Sequence, residues 1–75
     1  MITSEQLRAA RALVRWNQPK LAEAAGISVA TLKRLEAGSG PLKTSAVNMH
    51  NLQTVLEKAG VIFIDDNGGG VKLRG

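Results

Sequence analysis

Two short stretches of helical periodicity lie a few residues apart between Gln18 and Gly38, in the run QPKLAEAAGISVATLKRLEAG. The first spans about Gln18 to Ala25 and repeats Leu21, Ala22 and Ala25 on one face. The second spans about Val29 to Ala37 and sets Leu32 and Leu35 on the matching face. Gly26-Ile27-Ser28 leaves room between them only for a tight turn. The remainder of the chain has to pack around this pair.

With 75 residues the chain forms one domain with a thin core. Small folds of this size rely on close helix packing, disulfides, metals or oligomerisation. There is no Cys and a single His, so disulfides and thiolate or zinc sites drop out. No metal and no cofactor is expected. The lack of Cys suits a reducing cytoplasm. No apolar run approaches a membrane span. MITSEQLRAARALV lacks a basic segment followed by an apolar block, so no signal peptide is expected. The formal charge is +4, which fits an anionic partner. Arg8, Arg11, Arg15, Lys20, Lys33, Arg34 and Lys43 outnumber Glu5, Glu23 and Glu36 over the helical part. Trp16 and Phe63 are the only aromatics, which disfavours single-strand binding on stacked rings.

A first helix is expected from Ser4 to Arg15. Thr3 and Gln6 have capping-box spacing, and Leu7, Ala10, Val14 and Leu13 point to the core. Asn17 is placed to cap the second helix, with Pro19 in its first turn. Ser28 caps the third, and Gly38 is expected to close it in the left-handed conformation. Ser39-Gly40-Pro41 reads as a loop. A fourth helix begins between Thr44 and Asn48 and runs to about Ala59, with Val47, Leu52, Val55, Leu56 and Ala59 as its apolar positions and Gly60 as its stop.

The character then changes. Val61-Ile62-Phe63-Ile64, a turn over Asp65–Gly70 and Val71-Lys72-Leu73 read as a β-hairpin. Val61–Ile64 is apolar at every position, so both faces ask for cover. An isolated hairpin is marginal in water. Either it meets a second copy of the chain through Val61, Ile62, Phe63 and Ile64, or it folds back on its own helices. The first is favoured. The expected fold is therefore mainly α: a four-helix domain over residues 1–60, with a hairpin tail over 61–75 as the dimerisation element.

Several residues invite a bland explanation. Arg8 and Arg15 read as solubilising surface, Trp16 as packing beside the second helix, and His50 as exposed on the fourth. Lys72 and Arg74 suit edge-strand gatekeeping. Asp65 and Asp66 lack EF-hand spacing, and Gly68-Gly69-Gly70 lacks the Lys-Ser/Thr of a phosphate loop.

Two helices joined by a glycine-containing turn form the helix-turn-helix pattern, whose second helix enters the DNA major groove. The spacing Gln18-x-x-Leu21-Ala22-x-x-x-Gly26-Ile27-Ser28-x-x-x-Leu32-x-x-Leu35-Glu36-x-Gly38 resembles the xenobiotic-response-element (XRE) type of helix-turn-helix proteins. That group includes lambda-like phage repressors, Cro proteins and restriction-modification controllers. The resemblance covers about residues 4–59 and implies a lambda-repressor-like domain. The hairpin falls outside the group's five-helix pattern.

The resemblance also implies roles. Asn17 and Gln18 fall where relatives touch a phosphate and brace the recognition helix. Ser28, Val29, Ala30, Thr31 and Arg34 match groove-facing positions. Lys43 lies in a loop that holds the DNA backbone, and Lys33 is a further candidate for a phosphate. Arg11 and Glu36 match a structural ion pair. Val29 and Ala30, apolar at the helix tip, suit thymine methyls, and Arg34 suits guanine O6 and N7. The expected function is a sequence-specific DNA-binding transcriptional regulator, most simply a repressor. It acts as a homodimer on a pseudo-palindromic duplex operator. The alternative is a protein-interaction module, or an antitoxin-like partner, that sequesters another protein. With one His and no paired acids, the chain is not expected to be an enzyme.

Overall fold

In the computed structural model, which describes residues 2–66 and 69–75, each helix starts where the sequence supplies an oxygen for its unpaired N–H groups. At α1 (Ser4–Val14), the Thr3 hydroxyl accepts from Gln6 N–H and the Gln6 side-chain Oε1 accepts from Thr3 N–H. Asn17 caps α2 (Gln18–Ala25), Ser28 caps α3 (Val29–Ala37) and Ser45 caps α4 (Ala46–Lys58). Among the described residues no helix is long and apolar enough to cross a membrane.

The helix ends depart from expectation in two places. α1 stops at Val14, because Arg15 turns left-handed (φ 60°) and sends its N–H back to Arg11 and Ala12. Gly38, by contrast, is extended (φ −81°, ψ −170°) and makes no left-handed cap. Arg8 reaches this end instead: its Nη1 donates to the carbonyls of Glu36 and Gly38. Arg8 is thus a cap for another helix as well as a surface cation.

The core gathers Leu7 and Ala10 from α1, Leu21, Ala22 and Ala25 from α2, Leu32 and Leu35 from α3, and Leu52 and Leu56 from α4. Ile2 and Leu42 join them from two extended segments tied by Leu42 N–H to the Ile2 carbonyl and by a Thr3–Pro41 bridge. Leu13 and Val47, expected inside, are 36% and 67% exposed. Leu13 is one position off the Leu7–Val14 face, and Val47 lies five residues from Leu52, well round the helix.

β1 (Val61–Ile64) pairs antiparallel with β2 (Gly70–Leu73), with Val61 opposite Leu73 and Phe63 opposite Val71. The hairpin folds back on α1 and α4. Val61 is buried, and Phe63 and Val71 pack against the helical core. Gln6 clamps the turn end, donating from Nε2 to the carbonyls of Ile64 (2.9 Å) and Gly70 (3.0 Å). Arg74 closes the open end through its N–H to the Gly60 carbonyl and Nη2 to the Glu57 carbonyl. The all-apolar run is therefore split: Val61 serves the domain's own core, while Ile62 and, across the hairpin, Leu73 remain 37% and 48% exposed. Asn67 and Gly68 of the expected turn lie outside the described residues.

Candidate nucleic-acid interface

α3 is divided lengthwise by burial. Leu32, Leu35 and Glu36 face inward, whereas Ala30, Lys33, Arg34 and Ala37 are exposed at spacings of three and four. The outward stripe carries Lys33 and Arg34 and no carboxylate, since the helix's one acid is turned into the protein. At its tip, Ser28 Oγ accepts from Thr31 N–H at 3.0 Å and donates to Thr31 Oγ1 at 2.9 Å. Val29 differs from the expectation of a free apolar tip. It is half-buried against the core because it precedes Leu32 by three residues on the same face. Ala30 is the apolar group left fully outward.

A buried carboxylate fixes the pitch of this helix. Glu36, 5% exposed, accepts from Arg11 Nε (2.7 Å), Arg11 Nη2 (3.0 Å) and Gln18 Nε2 (3.0 Å). Arg11 also donates from Nη1 to the Trp16 carbonyl. One side chain of α3 is thereby bonded to both α1 and α2, and Arg11 ties that contact to the turn between them. The two-pronged Arg–carboxylate contact resists rotation as well as separation. Arg8 adds a second tie from α1 to the end of α3. Sequence reasoning overlooked Arg8. The available signal was its spacing: it precedes Arg11 by three residues and shares its face.

The N-terminus of α2 lies beside this network. Asn17 is exposed and its Oδ1 accepts from Lys20 N–H at 2.8 Å, while Gln18 is half-buried in its bond to Glu36. Lys20 rests its ammonium over the Trp16 ring, 5.0 Å from the centroid. Lys43 is exposed in the segment between α3 and α4. Together with Arg34 it borders a cleft of about 330 Å³, whose other walls are Ser4, Leu35, Gly38, Ser39 and Pro41.

Of the residues singled out in sequence, Arg11, Gln18 and Glu36 form one bonded cluster. Lys33 and Arg34 share one face of α3, and Arg34 meets Lys43 across the cleft. Val61, Phe63 and Ile64 are at least half-buried in the hairpin and stand apart from these groups. His50 Nε2 lies 3.4 Å from Thr54 Oγ1 on its own helix. Among the described residues no cluster of His, Asp and Glu has the makings of a metal site.

A family model described as a helix-turn-helix domain matches residues 4–48. The matched span begins with α1, contains all of α2, the turn and α3, and ends in the first turn of α4. No curated protein matches the chain.

Proposed function

The chain belongs to the helix-turn-helix domain family, and from that membership we propose a sequence-specific transcriptional regulator of the XRE type, acting on duplex DNA in the cytoplasm. The supporting observation is the outward face of α3: a capped tip followed by Ala30, Lys33 and Arg34, all exposed, on a helix whose reverse side is locked to α1 and α2. A rigid cationic helix standing clear of its domain suits insertion in the major groove. Helix-turn-helix domains of this kind are typically non-enzymatic.

In the proposed complex Arg34 takes guanine O6 and N7, and Ala30, with the exposed part of Val29, lies on a thymine methyl. Ser28 and Thr31 reach neighbouring base or phosphate groups. Asn17, Gln18, Lys33 and Lys43 hold the phosphates on either side of the groove. Two copies bind half-sites about 34 Å apart, one helical turn, on a pseudo-palindromic operator. Residues 1–60 supply the DNA-binding unit. Residues 61–75 supply the dimer contact through the exposed Ile62, on the face of the hairpin opposite Val61 and Phe63, in place of the whole Val61–Ile64 run. Repression follows when the site overlaps a promoter.

Replacing Arg34 with Ala and measuring affinity for duplexes varied one base pair at a time tests this directly. A loss of about 1–3 kcal/mol confined to one position supports direct readout. An unchanged affinity favours a module that uses the same face to bind a protein.

A further inference from the structure

We propose that the cleft beyond the end of α3 binds a small phosphate monoester, and that this ligand competes with DNA. The proposal rests on the DNA-binding function above and adds a means of controlling it. The cleft, about 330 Å³, falls at the small end of the volume range of small-molecule sites. Arg34 and Lys43 form its cationic rim. Among the described residues neither head group has a hydrogen bond or an ion pair.

Ser4 gives the cleft its specificity. It is 3% exposed, its hydroxyl faces the cleft, and it has no hydrogen-bond partner among the described residues. Gly38 keeps that hydroxyl accessible. Its extended backbone would suit any residue, so conformation does not call for glycine there. A Cβ at this position would stand 3.3 Å from Ser4 Oγ, in the space a ligand would take.

The electrostatics favour an anion despite the negative end of a helix. The carbonyls of Glu36 and Gly38 are occupied by Arg8, which brings a third cation behind the wall. No carboxylate lines the cleft. Glu5, on the neighbouring loop contact, already accepts from Gly40 N–H at 3.0 Å. A phosphoryl group can take a forked contact from Arg34, an ammonium from Lys43 and hydroxyls from Ser4 and Ser39. Leu35 and Pro41 leave an apolar wall for a short carbon body. A duplex phosphate can approach the two cations at the rim, but the depth of Ser4 suits a small free molecule.

With Arg34 and Lys43 engaged, the DNA-binding face loses one base contact and one phosphate contact. A ligand present at ten times its dissociation constant and exclusive with DNA weakens apparent DNA affinity by about tenfold.

The test is an amide-detected NMR titration of the full chain with glycerol 3-phosphate, at ionic strength held constant with chloride. The proposal expects saturable shifts centred on Ser4, Gly38, Ser39 and Lys43, and weaker binding by at least about fivefold in a folded Ser4→Ala variant. Shifts that never saturate, or equal affinity in Ser4→Ala, overturn it. So does a short duplex that moves these amides when glycerol 3-phosphate does not, because the cleft then serves only DNA phosphate. The titration uses DNA-free protein, so its outcome stands apart from whether an operator is found. Where one is found, glycerol 3-phosphate should weaken wild-type binding and leave Ser4→Ala largely unaffected.

Discussion

Glu36 and Arg8 show how a single side chain can set the geometry of the outward helix α3. Glu36 is held by three donors in a nearly dry site, so losing its cation leaves an uncompensated charge. Arg11→Ala should therefore cost about 3–5 kcal/mol in urea unfolding, nearer the lower figure because Arg11 is 26% exposed. Replacing both partners with apolar residues, Arg11→Met with Glu36→Leu, should restore much of that loss. Glu5 offers a pH test. Hydrogen bonds from its own backbone N–H and from Gly40 N–H hold its carboxyl below the usual range. A carboxylate with a depressed folded value adds stability above its unfolded value and loses it as pH falls through the folded one. The melting-temperature gap between wild type and Glu5→Gln should be open at neutral pH and close on acidification. The Arg11–Glu36 contact was suggested in sequence by family resemblance. The Arg8 contact was missed: its spacing from Arg11 marked the face, but its partners are backbone carbonyls, which no residue type marks.

The helices were legible to within a residue or two, since the caps at Thr3, Asn17 and Ser28 and the leucine spacing agree with one another, whereas the Ser45 cap of α4 was not singled out. Their ends were less so, because a left-handed cap is chosen by neighbours as well as by glycine. Gly26, at φ 73°, closes α2 in that way, whereas Gly38 is extended and Arg8 bonds the carbonyls of Glu36 and Gly38. Gly26→Ala should cost about 1–2 kcal/mol in thermal unfolding. The cost is purely conformational, because nothing lies within 4 Å of the added Cβ. Arg15 is the opposite case, a bulky residue at φ 60°. Arg15→Gly should leave stability unchanged or raise it by up to about 1 kcal/mol, its relief of strain set against a lost cation at the helix C-terminus.

For the whole molecule, the division of the hairpin between core and surface decides how it can be tested. The sequence showed apolar strands without showing which side the domain itself would cover. That depends on Gln6 and on the packing of β2 against α1, contacts made across nearly the whole chain. Removing residues 61–75 would strip Val61, Phe63 and Val71 from the core and confuse folding with assembly. Ile62→Lys is the cleaner change, because Ile62 lies on the face opposite Val61 and Phe63. It should leave the melting temperature within a few degrees while shifting sedimentation from dimer to monomer. A chain that sediments identically with and without this lysine does not dimerise through the hairpin. Lys43→Gln belongs at this scale too, since long-range charge sets affinity: binding should weaken evenly across sequences, and the salt slope should fall by about 1.

The central claim is that the exposed face of α3 reads a specific duplex sequence, two copies at a time. The most direct test is selection of bound sites from a random duplex pool with the purified full chain. An enriched inverted repeat with half-site centres about one helical turn apart is the predicted result. Weak, salt-sensitive binding with no enriched motif would contradict it, leaving only non-specific attraction between a basic protein and the phosphate backbone.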